Sequence, residues 1–180
     1  EAGLSPIGAG NEAQAFAPVI KTIKGTRIAL FAYTDQAPSA WQAQGENIGL
    51  ARVSENNLER IKADLALARE LADVVIVSFH SGEEYQEEPT ASQVTFSRAF
   101  VDAGADIVIN HHSHIIQKSE EYRSGYIFYG LGNFVFDQAF SEETMEGEIV
   151  EVVIENKKIK KIITKKVKMN EFFQPELIAP

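Results

Sequence analysis

Two short apolar runs, each ending in histidine, constrain the fold of this chain more than any other feature. Residues 73–80 read D-V-V-I-V-S-F-H, and residues 105–114 read A-D-I-V-I-N-H-H-S-H. Both runs are rich in β-branched residues and too short for typical helices, which indicates strands buried on both faces. We therefore predict strands over residues 74–79 and 106–110.

Helix signals lie between and before these strands. One helix is predicted over residues 90–103, with Thr90 as its N-cap and Gly104 as its stop. Another is predicted over residues 54–71, with Ser54 as its N-cap and apolar residues at spacings of three and four. Strand, helix and strand in succession form a unit whose strands run parallel and end at the same edge of a sheet. We expect both helices to pack on one face of that sheet.

All four histidines of the chain follow these two strands: His80, His111, His112 and His114. Side chains alternate in an extended segment, so His112 and His114 are expected to point one way and His111 the other. Ligands bind at the carboxyl edge of open α/β sheets, and neutral imidazole is a common ligand of transition metals. Considered by itself, His80 also fits the role of a hydrogen-bonded core residue. The four histidines considered together favour a metal site.

Composition excludes several classes of function. The net charge of −9 and the pI of about 5.0 argue against nucleic acid as a partner. The chain has no cysteine, so it forms neither a disulfide bond nor a thiolate zinc site. No apolar run reaches the roughly 18 residues of a membrane span. The sequence begins without methionine, and we expect it to be part of a longer protein that carries any targeting segment.

The C-terminal part of the chain has the pattern of antiparallel hairpins. Two are predicted from their turn residues: residues 115–122 with 126–129, and residues 148–154 with 158–169. A length of 180 residues is enough for one domain with a sizeable core. We expect that domain to span residues 1–170 and to be followed by an irregular tail over residues 171–180.

Four blocks of sequence together resemble the CapA-type family of poly-γ-glutamate capsule synthesis proteins. They are V-I-V-S-F-H-S-G-E-E-Y at residues 75–85, E-P-T-A-S-Q at 88–93, D-A-G-A-D-I-V-I-N-H-H-S-H at 102–114, and I-F-Y-G-L-G-N-F-V-F-D-Q at 127–138. That family is similar to the calcineurin-like metallophosphoesterases. The resemblance implies an α/β fold, a β-sandwich flanked by helices with a two-metal site at its strand ends, of which this chain is the C-terminal part.

The resemblance also implies roles for individual residues. Carried over by position, His80, His112 and His114 are the expected metal ligands. His111 and Glu84 are the expected catalytic groups, which would transfer protons or orient the ligands. Three residues are expected to support the ligands from a second layer: Asn110, Asn133 and Asp137. For Asp137, a purely structural capping role fits the sequence equally well.

The first half of the family's domain, with its aspartate-rich and Asn-His blocks, is absent from this sequence. The histidines therefore make up only the imidazole half of the expected site, with few or no carboxylate ligands. We expect two divalent ions, Mn, Zn or Fe, in a full-length protein, and one or none in these 180 residues. A metal pair would clamp a phosphoryl or acyl oxygen and lower the pKa of a bridging water.

Three functions are compatible with this sequence, and whether the protein is an enzyme is open at this point. The first is a metal-dependent hydrolase or transferase in poly-γ-glutamate capsule biosynthesis or anchoring. The second is a non-catalytic capsule-assembly protein that binds polymer or partner subunits, and the third is a generic metal-dependent phosphoesterase. The expected partners are an anionic polymer such as poly-γ-glutamate or a phosphorylated small molecule, together with membrane-bound synthesis subunits. The expected location is the cell surface or the extracellular space, with a membrane anchor in an N-terminal segment.

Overall fold

The computed structural model describes residues 3–178 and shows an α/β fold, which confirms the class predicted from the sequence. The helices are α1 (Glu12–Phe16), α2 (Leu58–Leu71) and α3 (Ala91–Asp102). The strands are β1 (Ala9–Gly10), β2 (Val19–Ile23), β3 (Thr26–Thr34), β4 (Gly49–Leu50), β5 (Val74–His80), β6 (Ile107–His111), β7 (Ser119–Tyr122), β8 (Gly125–Phe128), β9 (Glu146–Glu155), β10 (Lys158–Met169) and β11 (Pro175–Leu177). Among the residues described, none of the helices combines the length and the apolar character needed to cross a membrane.

The central sheet has six strands in the order β2-β3-β5-β6-β8-β7. Strands β3, β5, β6 and β8 run parallel, while the outer strands β2 and β7 pair antiparallel with their neighbours. The predicted parallel pairing of the two histidine-ending strands is confirmed, and His80 lies opposite His111 in the register. The carboxyl ends of β3, β5 and β6 therefore meet at one edge, which we call the histidine edge.

Helices α2 and α3 cover one face of the central sheet, as predicted. Ile61 and Leu65 of α2 and Phe100 of α3 are fully buried and share one apolar cluster with Phe79 of β5. The Phe79 and Phe100 rings meet edge to face, with their centroids 5.2 Å apart. Burying a side chain of this size stabilises the fold by roughly 1.5–3 kcal/mol, so this layer fixes β5 and the position of His80 at its end.

Helix α3 begins where the sequence predicts, whereas α2 does not. Thr90 Oγ1 accepts a hydrogen bond from the Gln93 N–H, and the Gln93 side chain accepts one from the Thr90 N–H, which forms a reciprocal cap. Helix α2 begins at Leu58, so the predicted N-cap Ser54 is wrong. The Ser54 N–H donates instead to Asn57 Oδ1, which closes a turn ahead of the helix.

A second sheet has three antiparallel strands in the order β11-β10-β9. Both hairpins predicted from the turn residues are present. The expectation of an irregular tail is wrong for Pro175–Leu177, because this segment pairs with Val167–Met169 of β10. The last two residues of the predicted tail lie outside the described residues. Gly147 of β9 forms a bridge with Gly132, which ties the second sheet to the histidine edge.

Candidate metal centre

All four histidines line one cleft at the histidine edge. His80 is the last residue of β5 and His111 the last of β6, and residues 131–133 close the other side of a volume of about 160 Å³. The ring centroids of His80 and His112 are 4.8 Å apart, and those of His112 and His114 are 6.2 Å apart. The structure thus brings together the three imidazoles that the sequence singled out as ligands.

The backbone after β6 does not follow the extended path that the sequence predicted. His112 has a φ of 113° and His114 a φ of 59°, both in the left-handed region that side-chain-bearing residues rarely adopt. His111 also lines the cleft, but among the residues described the ring contacts join His80 to His112 and His112 to His114 and do not include His111. That the His111 side chain points away from His112 and His114 therefore stays a prediction. Such left-handed conformations cost of order 1–3 kcal/mol each and persist only where surrounding contacts hold them.

Asn133 fixes both the orientation and the tautomer of His114. Its Nδ2 donates to the Thr144 carbonyl oxygen at 2.9 Å, so its Oδ1 faces His114 Nδ1, also at 2.9 Å. An amide oxygen only accepts hydrogen bonds, so His114 Nδ1 carries the hydrogen and Nε2 keeps its lone pair. A ring held in this way through one nitrogen, with the other nitrogen free, is the usual arrangement of a metal-binding histidine.

Two aromatic rings flank the imidazole of His114. Tyr85 stacks on it with centroids 5.9 Å apart, and Phe136 stacks with centroids 5.2 Å apart. The Tyr85 hydroxyl accepts a hydrogen bond from Gln138 Nε2 at 3.1 Å, which links the loop after β5 to the loop after β8. The rings restrict rotation of His114 and reduce the contact of its faces with water, which strengthens electrostatic interactions at the ring.

Burial sets the protonation of the two strand-end histidines. It lowers the pKa of His80, and the neighbouring imidazoles of His112, His111 and His114 lower it further, while the Asp35 carboxylate raises it. Burial also lowers the pKa of His111, although both His80 and His111 are in part accessible to solvent. Both rings are therefore neutral at neutral pH, and only neutral imidazole can ligate a metal.

One carboxylate reaches the histidines from the loop after β5. Glu84 Oε1 lies 3.9 Å from His114 Nε2. One ligand atom each from Glu84, His112 and His114 lie within 4.8 Å of one another. The sequence predicted few or no carboxylate ligands at this site, and the structure places one carboxylate of this chain, that of Glu84, beside the imidazoles.

The three residues predicted to support the ligands have different surroundings. Among the residues described, only Asn133 of the three forms a side-chain hydrogen bond with a histidine. Asn110 is fully buried, accepts from Ser97 Oγ at 3.2 Å and donates to the Phe128 carbonyl at 3.0 Å, so it ties β6 to α3 and β8. Asp137 is exposed to solvent in the loop after β8.

Asp35 is a residue of the histidine edge that the sequence motifs did not single out. It directly follows β3, its N–H donates to the His80 carbonyl at 3.3 Å, and its Oδ2 accepts from Ser81 Oγ at 2.7 Å. The sequence does contain a signal for Asp35, because an aspartate that follows a parallel strand lies at the same sheet edge as the residues that follow the neighbouring strands.

A larger cavity of about 430 Å³ adjoins the cleft at His80. Its wall is mostly apolar and includes Tyr33, Trp41 and Leu50. Since His80 lines both spaces, a ligand held at the histidines has room to extend into this cavity.

Comparison with known proteins places these features in context. The family described as bacterial capsule synthesis protein PGA_cap matches residues 1–138. A capsule biosynthesis protein CapA from Bacillus anthracis is 37% identical over 143 residues, which are 78% of this chain and 35% of that protein. A PGA biosynthesis protein CapA from Bacillus subtilis is 36% identical over 119 residues, which are 66% of this chain and 30% of that protein.

This chain thus spans only a minor part of the length of the curated relatives it matches. Among solved structures, an NAD nucleotidase from Haemophilus influenzae superposes with a TM-score of 0.45 at 10% sequence identity. That superposition covers 96% of this chain and 32% of the nucleotidase.

Proposed function

The chain belongs to the bacterial capsule synthesis protein family PGA_cap, and we propose that it acts in capsule biosynthesis through a metal ion held at the histidine edge. The proposed reaction class is hydrolysis or transfer of a phosphoryl or acyl group. The proposed substrate is an anionic polymer such as poly-γ-glutamate, in line with the relative described as a PGA biosynthesis protein, or a phosphorylated small molecule. The observation that carries the proposal is the convergence of four histidines and Glu84 at the carboxyl edge of the sheet.

The donor set of the cleft fits a divalent transition metal. His114 offers Nε2 with a free lone pair, and the lowered pKa of His80 keeps that ring neutral. The chain has no cysteine, and a set of imidazoles with a carboxylate suits Zn, Fe or Mn. His80, His112 and His114 would hold the ion, as the family resemblance implies. When bound, such an ion would polarise a phosphoryl or carbonyl oxygen and lower the pKa of a bound water.

The remaining groups of the cleft have roles that follow from their positions. His111 is neutral and lines the cleft, so one of its ring nitrogens can accept a proton from a reacting group. Tyr85 and Phe136 hold the His114 ring in one orientation. The cavity beside His80 gives space for the part of the substrate that does not react.

We propose the cell surface as the place of action and membrane-bound synthesis subunits as partners. The support for this is that the relatives are described as capsule and PGA biosynthesis proteins, since capsule lies outside the cell. Immunogold labelling of intact capsule-forming cells tests the location. Label confined to the cell interior would contradict it.

The catalytic proposal is tested with the purified chain loaded with Zn²⁺ or Mn²⁺. A phosphomonoester, a phosphodiester and γ-linked glutamate oligomers are each incubated with it, and products are identified by mass spectrometry. We expect turnover of one class of substrate, loss of turnover after chelation, and recovery when metal is restored.

Two variants sharpen this experiment. His112→Ala is expected to abolish turnover, while Lys160→Ala, a change at an exposed position of β10, is expected to leave it unchanged. A wild-type chain that binds metal but turns over none of the three substrate classes would contradict catalysis and favour a binding role in capsule assembly.

A further inference from the structure

We propose that Glu84 is itself a metal ligand, so that Glu84, His112 and His114 form a two-histidine, one-carboxylate site for a divalent transition ion. This inference rests on the proposed metal-dependent function and deepens it, because it assigns a ligand that the family resemblance does not supply. It also changes the role predicted for Glu84 from proton transfer to ligation, and it places Glu84, rather than His80, beside His112 and His114 as the third ligand of this ion. Two histidines and a glutamate are a known ligand set of catalytic zinc, with water in the fourth position.

The backbone of the loop after β5 positions Glu84. Gly82 has a φ of 117°, and a Cβ at that position would lie 2.8 Å from Gln93 Oε1, so any other residue would be strained in this turn. Tyr85 has a φ of 61°, and its N–H donates to the Ser113 carbonyl at 2.8 Å. The loop is therefore held on both sides of Glu84, at Gly82 and at Tyr85. The residue that Tyr85 contacts, Ser113, lies between the two ligand histidines in the sequence.

The distances are close to those that a metal requires. Ligand atoms bound to a tetrahedral zinc ion at 2.0–2.2 Å lie about 3.4 Å from one another. Glu84 Oε1 is 3.9 Å from His114 Nε2, and the ligand atoms of all three residues lie within 4.8 Å of one another. The Glu84 side chain is 48% exposed, so rotation of that side chain can close the remaining gap without moving the backbone.

Glu84 and Glu88 of the same loop have different partners. Glu88 is paired with Lys118. Among the residues described, Glu84 forms no salt bridge with a lysine or arginine, and its Oε1 faces His114 Nε2 at 3.9 Å. A carboxylate at this position offsets part of the charge of a divalent ion, which two neutral imidazoles alone do not. The cluster of Glu84, His112 and His114 is the single group of this kind that residues 3–178 contain.

The test is calorimetric titration of the whole chain with Zn²⁺ at neutral pH, comparing Glu84→Gln with Glu83→Gln. The two variants lose the same charge from adjacent exposed positions, so a difference between them reports ligation rather than general electrostatics. Removing a residue that supports a metal ligand without touching the metal weakens binding by roughly 10–100-fold. We expect Glu84→Gln to weaken Zn²⁺ binding by more than that. We expect Glu83→Gln to weaken it by less than about fivefold.

Two further readouts separate this inference from the proposed function. The visible spectrum of bound Co²⁺ is expected to change in Glu84→Gln and to stay unchanged in Glu83→Gln, with folding of both checked by circular dichroism. If Glu84→Gln binds Zn²⁺ as Glu83→Gln does while His112→Ala has lost binding, Glu84 is not a ligand and the histidine site stands. If the wild-type chain binds no Zn²⁺, the inference and the metal-dependent function both fail.

Discussion

Replacing Asn133 by alanine should remove the contact that orients the His114 ring while the ring itself stays in the protein. Asn133 is 7% exposed, and its side chain joins His114 Nδ1 to the Thr144 carbonyl through two hydrogen bonds of 2.9 Å each. A typical hydrogen bond within a protein contributes roughly 0.5–1.5 kcal/mol, so Asn133→Ala should lower the free energy of unfolding by about 1–3 kcal/mol. The His114 ring then loses the partner that fixes its tautomer, and Zn²⁺ affinity should fall by roughly 10–100-fold.

Asn133→Asp is the matched control for this prediction. A carboxylate oxygen still accepts from His114 Nδ1, so the tautomer is kept, but the donor to the Thr144 carbonyl is lost. We therefore expect Asn133→Asp to be destabilised in urea denaturation while its Zn²⁺ affinity, measured by calorimetry, stays at or above that of the wild type. Equal Zn²⁺ affinities of Asn133→Ala and the wild type would refute the argument that this amide orients a metal ligand.

Three further predictions concern stability. Thr90→Ala removes the reciprocal cap of α3 and should cost about 1 kcal/mol in urea denaturation, and a change below the error of that measurement would contradict the cap. Gly132→Ala places a Cβ 2.4 Å from a backbone carbonyl oxygen at a φ of 68°, so it should lower the free energy of unfolding by about 2–5 kcal/mol. Its control is Gly25→Ala, which has a φ of 82° but lies in open space and should lower that free energy by about 1–2 kcal/mol. Thermal unfolding measures both, and equal losses of stability would show that the steric argument is wrong. Burial raises the pKa of Glu120, but its hydrogen bonds, the one from Arg98 first, outweigh burial, so the pKa is lowered in the folded protein. The ionised Glu120 should therefore stabilise the fold above about pH 4.3, and this stabilisation should be lost as the pH falls through the lower pKa of the folded state. In Glu120→Gln, the free energy of unfolding should change less with pH between these two pKa values.

The sequence was sufficient to predict the layer that carries the site. Apolar runs of strand length, separated by a capped helical segment, leave few alternatives to a parallel strand pair with its helices on one face. The placement of His80 and His111 at one edge followed from that topology. The start of α2 at Ser54 was wrong because Asn57, rather than the first polar residue, organises the turn before the helix.

The inner geometry of the site was not predictable from periodicity. Side-chain alternation holds only for an extended backbone, and His112 and His114 are left-handed because tertiary contacts hold them so. The approach of Glu84 depends on a loop whose conformation is fixed by the buried Gln93 and by the Ser113 carbonyl, neither of which a local pattern reveals. Strand β11 was missed for a related reason, since pairing with β10 decides its conformation.

Anomalous diffraction from crystals of this chain soaked in Zn²⁺ tests the central claim most directly. A single strong peak is expected in the cleft at the histidine edge, with zinc about 2.0–2.2 Å from a ring nitrogen of His112, from Nε2 of His114 and from a carboxylate oxygen of Glu84. A well-occupied zinc site elsewhere on the chain, with the histidine cleft free of anomalous signal, would contradict the account.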